Sequence, residues 1–479
     1  MTDQTTPPIE DKVRFRDVLT EGRALLTLTL VVAIGSHAVN MFAVRTVLPT
    51  IVEDIGGAKI LFWSAALFSL MAILGGMLTI NLKSRIGARL SFYLAAALLI
   101  IGSAFGGFAP TFEIVILGRG IQGFAEGILV SLSYMVLAET YKGNLMTRMI
   151  GILAIVWAVA AAIGPMAAGI LEHFFTWRGT FLVNFVVGLA IAIQAYFAVS
   201  NTAKAQKSAK PDFRVLLPLI TAVTILCFIG QLTHPLAIAG LLVAAAFLIF
   251  IGLRAERHSK SRMLPVRLFD PRSPVAIAYM VTIMISTFVT AHTLYNVAYV
   301  QTLWQIDLTL AGYMTALPAA FWSVGSWSVA SVSTYAAQRR WIMAGLYAIW
   351  LSVALSAVAL NFASLPLFLL SLTLLGLGLG WQNIFIEKIS VQFVRGRERD
   401  RAAAMLPPMD NAASAFGAAL AGLVALNLSL INPDAPNGLF SANEVQSYAP
   451  LMSALFFVLL TPILVLPHIL PKTPPRKIT

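Results

Sequence analysis

Leu117-Gly-Arg119-Gly-Ile-Gln122-Gly123-Phe-Ala-Glu126-Gly127 sets two opposite charges inside an otherwise apolar run from Phe112 to Leu137. About 20 residues at ~1.5 Å rise cross a bilayer, so this run is long enough to span one. A charge at bilayer depth costs roughly 2.5–3.5 kcal/mol even on the mild insertion scale. A chain that keeps two of them on one helix is expected to use them. Seven residues make about two turns, which puts Arg119 and Glu126 on one face roughly 10 Å apart. Gln122 falls between them on the same face.

The rest of the chain agrees that the solvent is lipid. Of 479 residues, 58% are hydrophobic and 11% charged, and mean hydropathy is +0.83. A soluble domain carries roughly 25% charged residues. Fourteen apolar runs are long enough to span: 24–49, 58–81, 90–109, 112–138, 148–171, 179–200, 214–231, 235–253, 274–301, 308–334, 341–361, 364–387, 402–428 and 449–470. The net charge of +12 does not point to nucleic acid, because 29 of the 33 Lys and Arg fall in one alternate set of connecting segments. The opposite set holds only Lys59 and Arg178, while Arg45 and Arg119 lie within runs. That asymmetry places both termini in the cytoplasm, and an even number of spans requires the same. The polar first 23 residues lack the apolar core of a cleaved signal peptide.

The expected architecture is all-α and integral to the membrane. It comprises a cytoplasmic segment 1–23, a six-helix bundle 24–201, a central helix pair with linkers 202–262, a second six-helix bundle 263–470 and a cytoplasmic tail 471–479. Two pseudo-symmetric bundles around a midplane site are the usual plan for alternating access. With Cys227 as the single cysteine, no disulfide within the chain and no cysteine-based metal site is expected. There is no Gly-rich phosphate loop and no hydrolase pattern, so neither bound nucleotide nor enzymatic catalysis is expected.

Polar residues within the runs mark a candidate cavity. His37 and Asn40 are three apart on the first run, with Arg45 further out, and His292 and Asn296 are four apart on the ninth. The twelfth carries Trp381, Gln382 and Asn383, and the thirteenth Asp410 and Asn411 behind Pro407-Pro408. Each has a plainer reading: Arg119 pairing with a neighbouring helix, Arg45 reaching headgroups, both histidines packed, and Glu387 paired with Lys388 at the interface. A carboxyl taken from water holds its proton more readily, and a nearby cation opposes this. Glu126 and Asp410 are therefore the proton-coupling candidates. Arg119, Gln122, His37, Asn40, Arg45, His292, Asn296, Trp381, Gln382 and Asn411 are the candidates for lining the cavity.

At these residues the chain resembles the major facilitator superfamily, in its fourteen-helix drug:proton antiporter branch. Arg119, Gln122 and Gly123 match its Arg-x-x-Gln-Gly motif. Gly164-Pro165-Met-Ala-Ala-Gly169 is similar to the antiporter motif, whose small residues permit close packing. Thr176-Trp-Arg178 and Leu264-Pro-Val-Arg-Leu-Phe-Asp270 also resemble the branch. Arg85, Gly87 and Arg89 keep part of a loop motif, but Ser84 replaces its Asp and Ile80 its Gly. The cytoplasmic charge contact of that Asp is therefore not expected. Asn40 stands where the first helix usually has an Asp, Arg45 where it has an Asn, and Glu126 where the family commonly has a small residue. The resemblance implies the major facilitator fold and proton-coupled export of amphipathic molecules across the cell (inner) membrane. The expected energy source is the proton gradient, with no cofactor or metal. The expected partners are a small-molecule substrate and the bilayer, the protein acting as a monomer. A periplasmic adaptor or outer-membrane partner is left open. Import or uniport of an anionic or siderophore-like metabolite, and lipid transport, are the alternatives.

Overall fold

The computed structural model describes residues 15–57, 62–200, 212–229, 234–259, 262–306, 308–428 and 442–470, and these are helical with no strand among them. Lipid offers no partner to backbone N–H and C=O groups, so apolar runs close their hydrogen bonds internally as helices. The order is α1 (Ala24–Ile55), α2 (Phe62–Gly107), α3 (Phe112–Thr140), α4 (Asn144–Phe175), α5 (Arg178–Ala198), α6 (Phe213–Ile229), α7 (Pro235–His258), α8 (Pro274–Thr293), α9 (Asn296–Trp304), α10 (Leu308–Thr315), α11 (Leu317–Val329), α12 (Tyr335–Asn361), α13 (Leu365–Gln392), α14 (Gly396–Asn427), α15 (Ala442–Leu460) and α16 (Leu466–Ile469). Among the described residues ten helices are long and apolar enough to cross a membrane.

Each of the fourteen apolar runs is helical over most of its described length, with adjustments. The second and third lie in α2, bent at Gly87, whose φ of 82° and ψ of 168° fall where a side chain is strained. The ninth run breaks at Leu294–Tyr295, between α8 and α9, so His292 and Asn296 do not share one uninterrupted helix. The tenth breaks at Ala316, just before Pro318. The fourteenth starts earlier, at Ala442, and tightens to a 3₁₀ turn at Thr461–Leu464.

Helices α1 to α5 pack on one another, as do α8 and α11 to α15, while α6 and α7 pair and α6 also touches α2 and α14. The two groups meet along two seams, α14 against α2 and α3, and α4 against α11 and α13. In the second seam Ser323 Oγ donates to Ala154 O at 2.8 Å.

The tightest internal packing joins α2 to α3. A Cβ placed on Gly75, Gly123 or Gly127 would lie 2.2, 2.2 or 2.0 Å from the carbonyl oxygens of Phe124, Phe68 and Ala72. Small residues bring the two backbones together. The motif glycines of α4 differ from each other: a Cβ at Gly164 would sit 2.8 Å from Phe42 Cβ, but one at Gly169 meets nothing within 4 Å. The side chain of Pro165 lies outside the described residues.

Candidate functional site: a cavity between the two helix groups

The fully buried Glu126 of α3 reaches α1 with both oxygens. Oε2 lies 2.7 Å from His37 Nδ1, and Oε1 accepts from Asn40 Nδ2 at 2.5 Å. The three-residue spacing of His37 and Asn40 presents both to one carboxylate. Asn184 Nδ2 of α5 donates to Asn40 Oδ1 at 3.4 Å and extends the chain of contacts. The His37 ring stacks on Phe68 and meets Trp157 edge-on, both at 5.9 Å between centroids, which fixes its orientation.

His37 and Glu126 form part of the wall of a cavity of about 120 Å³ between the helix groups. Asp410 and Asn411 of α14 line it from the other group, with Pro407 and Pro408 beside them. Ser286 Oγ donates to Asp410 Oδ1. Both sequence-derived proton candidates thus face one space.

Glu387 of α13 lines the same cavity, contrary to the interfacial pair expected with Lys388. Adjacent residues on a helix point in different directions. The Glu387 carboxylate turns inward and accepts from Asn383 Nδ2 at 2.8 Å and from Tyr134 Oη at 3.5 Å. The Lys388 ammonium instead donates to Asn144 Oδ1 at 3.4 Å, at the start of α4. The four-residue spacing of Asn383 and Glu387 was the sequence signal for this face.

Several other candidates are placed elsewhere. Arg119 meets other groups: its Nη1 donates to Gln122 Oε1 at 2.9 Å and its guanidinium covers Phe68 at 3.9 Å. Gln122 Nε2 passes the chain to Ser103 Oγ at 2.8 Å. His292 and Asn296 are buried but are not among the residues lining this cavity. Trp381 packs on Trp341 at 5.4 Å, and Gln382 Nε2 bonds the Leu379 carbonyl at 3.4 Å. The side chain of Arg45 lies outside the described residues.

The remaining motif residues hold the ends of the helices. Arg89 Nε donates to Val199 O at 2.7 Å, tying the bend of α2 to the end of α5, while Arg85 is exposed. Among the described residues Ser84 Oγ makes a local bond, to Asn81 O at 2.9 Å. Its neighbour Lys83 supplies a charge contact instead. Nζ is 2.5 Å from Glu139 Oε1 on α3 and 4.0 Å from Asp400 Oδ2 on α14, so it bridges the seam. The Asp400 carboxyl is pushed up to about 6 by burial, with Lys83 pulling it down and Glu139 pushing it up. At the opposite end Asp54 accepts from Trp177 Nε1 and Arg178 Nη1, both at 2.9 Å, and both bonds hold its carboxyl below the usual range. Arg178 Nη2 also bonds Ala109 O at 3.2 Å. The segment before α8 is clamped by acids: Glu256 accepts from the N–H groups of Met263 and Leu264 at 2.6 and 2.7 Å, and Glu398 from that of Val266.

Two helix groups meeting around a polar cavity, in a chain of membrane-length helices, define a membrane transporter. The Major Facilitator Superfamily model matches residues 30–325, and the chain belongs to that family. It is 26% identical over 450 residues to a probable multidrug-efflux transporter of Mycobacterium tuberculosis, covering 89% of this chain and 93% of the relative. A multidrug efflux pump of Staphylococcus aureus is 25% identical over 282 residues, 58% of this chain and 62% of that one. Among solved structures, a human organic anion transporter superposes with a TM-score of 0.65 at 14% identity, covering 96% of this chain and all of the other. A proton:xylose symporter does so at 0.60 and 12%, covering 91% and 95%.

Proposed function

We propose that this transporter exports small amphipathic molecules in exchange for protons, as a member of the fourteen-helix drug:proton branch, with Glu126 as the proton carrier. The contact of Glu126 Oε2 with His37 Nδ1 in the cavity wall carries the reading. Both groups exchange protons, and the carboxylate is sealed from water on its own side of the wall. A proton arriving at this pair neutralises the carboxylate and loosens its hold on α1. Departure of the proton restores the contact. Alternating access follows if the two states of the pair favour different arrangements of the seams. The relatives named as multidrug efflux proteins support export.

The basic segments orient the chain with both termini and the Lys83 end in the cytoplasm, in the cell (inner) membrane. The working unit is a monomer that uses the proton gradient and no cofactor. The test is transport in proteoliposomes under an imposed pH gradient. Glu126→Gln is expected to lose gradient-driven transport while still binding substrate. Wild-type transport by that variant under the gradient would overturn the coupling role.

A further inference from the structure

A second and larger hollow opens on the flank of the first helix group. It is a groove of about 480 Å³ between α1, α4 and α5, against about 120 Å³ for the central cavity. Its lining is mostly aliphatic, with Ser36, Asn40, Thr180 and Asn184 as the polar members. Among the described residues no charged and no aromatic side chain lines it, whereas Trp157, Trp322 and Tyr134 line the central cavity. The lining residues Ile155, Val159 and Val183 are exposed, and around membrane-length helices that exposure is to lipid.

Its shape and chemistry say what fills it. An apolar hollow stays dry, and left empty it would forfeit the dispersion contacts of its walls. The lining runs from Val31 to Ala43 on α1 and from Ile152 to Leu171 on α4. Those stretches are about 18 and 28 Å long at ~1.5 Å per residue. One leaflet of the hydrocarbon core is about 15 Å deep, so an extended acyl chain fits lengthwise. Nothing in the lining compensates a charged headgroup, and no ring is present for a flat aromatic molecule to stack on. Thr180 marks the end of the groove nearest Arg178. It is buried two residues into α5, and its Oγ1 has no hydrogen-bond partner among the described residues. A hydroxyl at that depth, about 3 Å inside the helix terminus, can donate to the ester carbonyl at the head of an acyl chain.

We propose that this groove holds one acyl chain of a bilayer lipid, drawn from the leaflet on the Arg178 side, with its ester carbonyl accepting from Thr180 Oγ1. The seated chain packs against Asn40 and Asn184. Asn40 holds Glu126 through Nδ2 and receives Asn184 on Oδ1. A chain lying there keeps water from the 3.4 Å contact of Asn184 with Asn40, and so steadies from behind the hold of the carboxylate on α1. The lipid is then a bound part of the wall rather than passing solvent. The assignment stands whether or not Glu126 carries the proton.

The test is photolabelling of the purified full chain in nanodiscs doped with a phosphatidylcholine that carries a diazirine midway along one palmitoyl chain. Adducts are located by mass spectrometry of peptides. They are expected to concentrate on 31–43, 152–171 and 180–187, several-fold above those on Val243 and Phe247, exposed residues of α7 that do not line the groove. Val159→Trp and Val183→Trp enlarge exposed lining positions and fill the groove. Each is expected to cut the groove labelling to the level of α7 and to leave α7 labelling unchanged. Labelling of α7 as strong as that of the groove in the wild type would overturn the proposal, whatever the variants do. Groove labelling that persists undiminished in both variants, folded, would do the same.

Discussion

Gly127→Ala places one methyl group where two helices have no room for it. The added Cβ would lie 2.0 Å from Ala72 O, whereas carbon and carbonyl oxygen approach comfortably only to about 3.3 Å. Helices α2 and α3 must part by about 1.3 Å at that level, against neighbouring crossings at Gly123 and Gly75 that are equally close. Overpacking of this kind costs about 1–3 kcal/mol. The gain in helix propensity from Gly to Ala is about 1 kcal/mol, so the clash wins. The displaced residue next door is Glu126, whose 2.7 Å contact with His37 would stretch past the limit of a hydrogen bond. The variant is expected to unfold several degrees below the wild type in detergent and to lose gradient-driven transport in proteoliposomes. Gly169→Ala is the control, because nothing lies within 4 Å of its Cβ position. It is expected to match or slightly exceed the wild type in stability. A Gly127→Ala protein with wild-type unfolding temperature and transport would refute the argument that this crossing holds Glu126 in place.

The two ends of the molecule yield the remaining predictions. At the Lys83 end, the Asp400 carboxyl sits at about 6 rather than 3.8, so the closed seam binds more protons than an opened, hydrated one. Its contribution to closure is full below about 3.8 and is lost as pH rises through about 6. Spin-label distances between α3 and α14 should therefore lengthen between pH 5 and 7, and Asp400→Asn should flatten that response. At the other end, Trp177 is buried with its indole on Asp54, so Trp177→Ala is expected to cost about 3–5 kcal/mol in denaturant unfolding. Arg178→Ala removes a more exposed ion pair to the same carboxylate and should cost less than Trp177→Ala. The lowered Asp54 titration has the opposite sign to that of Asp400: its contribution is present above about 3.8 and is lost as pH falls below it. Unfolding of Arg178→Ala followed below pH 4 should show a weaker acid dependence than the wild type.

Sequence patterning reached the helices because lipid imposes a single rule on the backbone, and the apolar runs of this chain obey it from α1 to α15. It reached Glu126 because a carboxylate in such a run stands out, and it paired His37 with Asn40 through their spacing. It did not assign Arg119 and Glu126 to different partners, because sharing a face does not say which neighbouring helix meets each level. His292 and Asn296 show the same gap: both are polar and intramembrane, yet they are placed away from the lining of the central cavity. Glu387 was missed for a local reason. Lys388 offered an adjacent charge of the right sign, and the outward reading of that dipeptide hid the inward face shared with Asn383. The Lys83 bridge was out of reach because it joins α2 to α14, more than 300 residues away.

That bridge bears on how fast the molecule can switch as well as on which arrangement it prefers. Parting α14 from α2 and α3 breaks the 4.0 Å contact of Lys83 with Asp400, but the 2.5 Å contact with Glu139 travels with the cation. The ammonium group therefore keeps a counter-ion along the whole opening path. No bare, half-buried ammonium has to be created at the top of the barrier, where its desolvation would be most costly. A latch that hands its cation back to its own side can bias the resting state without becoming the slow step of the cycle.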